Sequence, residues 1–155
     1  MCSKTATELL HARREILRLE TELAKWKPST ADLPSPRDII SRSDIIVDNE
    51  KHRIVIDNVP GKAILVDIEG THSMEPLFAK GHNLIITDGF KYEDLVVGDV
   101  VVFDAGDGLT VHAIKGIELD AHGRLYTTGG YNNEYLDPVK LRDEHIKYLY
   151  IIHIA

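Results

Sequence analysis

Ser73 is the residue whose surroundings most invite a chemical reading. It stands in Gly70-Thr71-His72-Ser73-Met74-Glu75-Pro76-Leu77-Phe78, just after a run with strand character. Pro76 suits the first turn of a short helix, so the serine falls at a strand-to-helix junction. There a hydroxyl projects from a sharp turn, and backbone N–H groups can point at a developing oxyanion. The same position also suits an N-cap, where the hydroxyl merely satisfies the first backbone donors. The segment alone leaves both readings open. Other routes to chemistry are poorer. The eight histidines form no H-E-x-x-H pattern, and the single cysteine, Cys2, rules out C-x-x-C zinc sites. No Gly-rich phosphate loop is present, and neither a metal nor an organic cofactor is expected.

The chain beyond Ser73 favours the nucleophile. In order come Gly81, an apolar run, Gly98-Asp99-Val100-Val101-Val102-Phe103, Val111-His112-Ala113-Ile114, and Gly129-Gly130-Tyr131-Asn132-Asn133 with Asp137 beyond. This ordered set resembles the core shared by type I signal peptidases and LexA/UmuD-like serine peptidases: an S-M-x-P nucleophile box, a G-D-V-V-x-F strand, a strand bearing the base, and a G-D-N-N loop. The resemblance covers roughly residues 60 to 155.

The resemblance implies Ser73 as nucleophile. The bacterial signal peptidases and LexA-like proteins use a lysine base, whereas the archaeal and endoplasmic-reticulum branch uses histidine. His112, 39 residues after Ser73, falls at that place, so the chain looks like the Ser-His branch. Imidazole can take a serine proton near neutral pH, without the strong pKa depression that a lysine base needs. Asp137, seven residues after Gly130, matches the acid that supports the histidine in that branch. Thr71 matches a hydroxyl that joins the Ser73 N–H in the oxyanion hole of some signal peptidases. Lys115, three residues after His112, should point to the opposite strand face and makes a poor base. Three positions depart from the family pattern. His72 replaces a small residue and, as a strand neighbour, should point away from Ser73; His82 and Tyr131 replace aspartates. They bear on cleft geometry and on activity.

The elements that must position these residues read as mainly β. Short strand-like runs cover Ile45–Val47, Arg53–Asp57, Ala63–Glu69, Asn83–Thr87, Val100–Phe103, Leu109–Ile117, Arg124–Thr127 and Ile146–Ile154, most of them separated by Gly, Asp, Asn and Pro turns. One short helix-capable piece lies around Met74–Lys80. The expected fold is a signal-peptidase/LexA-like folded β-sheet or barrel over residues 39–155, preceded by one N-terminal α-helix over residues 1–27 and a Pro-rich linker over 28–38. In the helix, Leu9, Ala12, Ile16, Leu19, Leu23 and Trp26 fill the a and d positions of three heptads, while Leu10 and Leu17 widen the stripe. An isolated helix of this length is marginal in water, so its stripe must pack on a second copy, on another partner or on its own domain.

Composition sets the outer bounds. The 155 residues are 43% hydrophobic and 28% charged, and 18 Lys and Arg against 25 Asp and Glu give −7. Such an acidic chain lacks the field of a generic nucleic-acid binder. Residues 1–27 are too short for the helix-turn-helix domain of LexA-type repressors. No apolar run approaches the roughly 20 residues that span a bilayer, and no secretory signal core is evident. A cytoplasmic protein without membrane contact is expected. Two functions fit: a soluble serine peptidase acting on a peptide or protein, or a catalytically silent assembly or binding module, such as a viral structural component, that reuses the fold and oligomerises through the helix. Signal peptidases hold this core against a bilayer with an apolar helix, so secretory signal cleavage fits this chain least.

Overall fold

The computed structural model describes residues 36–106 and 108–155. The expected heptad helix over residues 1–27, and the linker as far as Ser35, lie outside the described residues.

Among the described residues eight strands form: β1 (Ile45–Asp48), β2 (Arg53–Ile56), β3 (Ala63–Asp67), β4 (Asn83–Thr87), β5 (Val100–Asp104), β6 (Leu109–Asp120), β7 (Gly123–Gly129) and β8 (Ile146–Ile154). Each overlaps one of the expected runs, and the chain is mainly β. β1 and β2 make a separate antiparallel hairpin, while the other six form an antiparallel sheet ordered β3-β4-β8-β5-β6-β7. Among the described residues no helix is long and apolar enough to cross a membrane.

β5 explains the sheet's architecture. Its run Val100-Val101-Val102-Phe103 is buried throughout, as expected of a strand with neighbours on both edges and packing on both faces. Alternation then divides its side chains. Val100 and Val102 join Met74, Phe78, Leu84 and Ile86 in one core. Val101 and Phe103 join Leu95, Ile114, Tyr126 and Leu149 in the other. β6 and β8 likewise contribute to both layers, through Ala113 and Ile114 and through Tyr150, Ile146 and Leu149.

β6 carries His112 and changes neighbours along its length. Leu109 to Ala113 pair with β5, whereas β7 pairs only from Ala113 onward. The outer edge of residues 109–112 is therefore left clear by β7, whose chain turns away at Gly129-Gly130. A register shift between Ile114 and Gly116 places Lys115 at the irregularity.

Two local expectations change. Met74–Lys80 forms no helix; Ser73 to Leu77 is a hydrogen-bonded turn, with both Leu77 N–H and Phe78 N–H donating to Met74 O. The cause is Pro76, whose ring disfavours helical backbone at the preceding Glu75. Arg37, expected within the linker, is fastened to the sheet. Its Nε and Nη2 donate to the two carboxylate oxygens of Asp99 at 2.8 and 2.7 Å.

Candidate active site

Two loops and one strand converge at the free edge of β6. The segment between β3 and β4 brings Ser73, β6 brings His112, and the chain leaving β7 brings Asp137. His112 Nε2 lies 3.1 Å from Ser73 Oγ, and its Nδ1 lies 2.7 Å from Asp137 Oδ2. An ionised carboxylate only accepts, so Nδ1 carries the proton and donates it to Asp137. The neutral ring then presents the Nε2 lone pair to the Ser73 hydroxyl. His112 is 7% exposed, which shields this line of hydrogen bonds from competing water.

Thr128 on β7 completes the support. Its hydroxyl donates to Asp137 Oδ2 at 2.7 Å, while its carbonyl accepts from Asp137 N–H at 2.8 Å. Burial pushes the Asp137 carboxyl up, but the hydrogen bonds from His112 and Thr128 outweigh it and hold the group below its ordinary value. Asp137 is thereby kept charged where an imidazolium would need it.

The backbone around Ser73 is gripped from the opposite side. Asn132 N–H donates to Ser73 O at 2.8 Å, and Asn132 Nδ2 donates to His72 O at 3.1 Å. Gly130 lies flat against the Ser73 carbonyl, where a Cβ would overlap both its carbon and its oxygen. His72 is not the extended neighbour expected from the sequence. Its φ of 59° is left-handed, and its exposed ring meets Glu75 Oε1 at 2.7 Å. Thr71 Oγ1 stands 3.2 Å from Ser73 Oγ, so the expected oxyanion partner touches the serine itself.

The remaining sequence candidates sit apart from this line. Lys115 holds its ammonium 4.0 Å above the Tyr131 ring, and burial pushes its pKa down. His82 stacks on His153 with ring centroids 6.0 Å apart and accepts weakly from Ala79 N–H, closing the turn that follows Ser73. Among the described residues no group of three or more His, Cys, Asp or Glu is placed to hold a metal ion.

Two cavities flank the triad. One of about 320 Å³ opens beside Ser73 and Thr71, with Val66, Ile68, Met74 and Val111 in its walls. The second, about 620 Å³, is bounded by His112 and Asp137. The structure brings together Ser73, His112, Asp137 and Thr71, all singled out in the sequence, and adds Thr128 and the grip of Gly130 and Asn132, which are not. The last two lie in the recognised loop, which is the available signal; nothing marks Thr128 beyond its place two residues before Gly130. Comparison with protein-family models, curated proteins and solved structures finds no match for this chain.

Proposed function

We propose that the chain is a serine peptidase of the type resembling the Ser-His signal peptidases, with Ser73 as nucleophile and His112 as general base. The observation that carries this reading is the unbroken hydrogen-bond line from Ser73 Oγ through both nitrogens of His112 to Asp137. Such a line activates a hydroxyl that is otherwise a weak nucleophile. Ser73 Oγ attacks the substrate carbonyl carbon as its proton passes to His112 Nε2. The C–N bond then breaks, and the same proton goes to the departing amine. Water, deprotonated by His112, cleaves the resulting Ser73 ester and restores the hydroxyl. Asp137 orients the ring and offsets the imidazolium charge. Thr71 belongs beside the developing oxyanion, and the 320 Å³ cavity accommodates an apolar side chain on the acyl side of the scissile bond.

A fluorophosphonate probe tests this. Time-dependent labelling is expected for the native chain, none for Ser73→Ala, and a loss of at least about 100-fold for His112→Ala. A folded native chain that shows no Ser73-dependent labelling at any pH overturns the catalytic reading.

The assembly-module reading retains one specific support. The β1–β2 hairpin exposes Ile46, Val47 and Ile54, more apolar surface than a two-stranded sheet can hide by itself. Under that reading Ser73→Ala leaves every property of the protein intact, including its partner binding.

A further inference from the structure

The 620 Å³ cavity lies on the other side of the triad from the Ser73 pocket. Its walls include Phe103, Thr110, Pro138 and Val139 together with His112 and Asp137. Thr110 borders both cavities, so the two meet across the edge of β6 that β7 leaves free. The chemistry assigns each side a different half of a substrate. The acyl half must stay with Ser73 Oγ and Thr71, which line the smaller cavity. The leaving amine must receive its proton from His112 Nε2, and His112 is a wall residue of the larger cavity, which neither Ser73 nor Thr71 lines.

We propose that this second cavity is the leaving-side subsite and takes an apolar side chain from the residues that follow the scissile bond. The inference rests on the peptidase reading. The occupant is argued from continuity with the triad: a chain that crosses Ser73 and passes His112 enters this cavity next. Its apolar preference follows from Phe103, Ala105, Pro138, Val139 and Leu141, which outnumber the charged wall residues Asp104 and Lys147. Lys147 is already engaged, its Nζ donating to Glu144 O at 2.7 Å. Asp137 is likewise committed to His112 and Thr128.

The test is a synthetic peptide library, randomised on both sides of the cut and read by mass spectrometry, alongside fluorophosphonate labelling of the same full-length preparation. The native chain should cut peptides with Leu or Phe on the leaving side about tenfold faster than matched peptides with Asp or Glu there. Val139 is 67% exposed, so Val139→Lys should fold normally and reverse that ratio toward acidic residues. Ala105→Trp fills the cavity from another wall and should shift preference toward Gly and Ala. Labelling at Ser73 with no leaving-side preference, with a preference that neither variant moves, or with no peptide cut at all overturns the subsite while sparing the nucleophile. Absence of Ser73 labelling instead overturns the peptidase reading.

Discussion

Thr128 governs how firmly Asp137 keeps its charge beneath His112. Its hydroxyl donates to the carboxylate oxygen that His112 also uses, so Thr128→Val removes a donor while preserving volume. A hydrogen bond to a charged group contributes about 1.5–3 kcal/mol. Losing it should slow Ser73 labelling about tenfold, and Thr128→Ser should restore most of the rate. The pH dependence follows from the direction of the shift. Asp137 is held below its ordinary value in the folded chain, so its contribution to stability is complete above about pH 3.9. It is lost as the pH falls through the lower folded value. In Thr128→Val the folded value moves up toward the unfolded one, so the loss still begins at the same pH but is smaller and is complete at a higher pH, which urea unfolding across the acid range detects. Gly130→Ala acts by displacement instead. Its new methyl would overlap the Ser73 carbonyl, so the hydroxyl must move from His112 and labelling should fall at least about 100-fold, with the fold preserved by circular dichroism. Ser73, His112 and Asp137 are legible in the sequence because boxes of fixed type and order surround them. Thr128 is not, since a strand threonine that braces a carboxylate looks like any other strand threonine until Asp137 folds back upon it.

At the scale of elements, strands are legible where composition and alternation agree. The Val100–Phe103 run is apolar at every position, and β5 is buried with core residues on both faces. The short helix expected over Met74–Lys80 fails because Pro76, though suited to a first helical turn, keeps Glu75 out of helical backbone. The linker expectation fails at Arg37 for a different reason. Pro and Ser composition marks a segment as extended but does not reveal that one of its side chains reaches a buried acid far along the chain. Asp99 is 1% exposed, receives Val96 N–H besides Arg37, and belongs to the segment whose Ile114 contacts continue β6 beyond its pairing with β5. Arg37→Ala leaves that carboxylate without its cation and should cost about 2–3 kcal/mol in urea unfolding, while Arg37→Lys recovers only part because an ammonium cannot make the two-pronged contact. Equal stability of the native chain and Arg37→Ala would show the fork to be incidental.

At the scale of the molecule, the chain divides into Met1–Leu33 and Pro34–Ala155, and the described residues of both apolar cores belong to the second unit. So do Ser73, His112, Asp137 and Thr128, together with Arg37 and its acid. The described hydrogen bonds that set the site's geometry all join residues of that unit. A chain beginning at Pro34 keeps every one of these contacts and is expected to unfold in one cooperative transition and to label at Ser73 at the rate of the full chain. The heptad stripe of Leu9, Ala12, Ile16, Leu19, Leu23 and Trp26 has a different expected output. Its removal should lower the mass measured by light scattering if the stripe pairs with a second copy, and leave the mass unchanged if it does not. An acidic chain at −7 resists non-specific association, so a higher mass in the full chain at moderate salt would point to this stripe rather than to bulk attraction. Loss of labelling together with loss of mass would make assembly a condition of the site. Labelling that survives the loss of mass separates the two, placing chemistry in the sheet and organisation in the segment that precedes it.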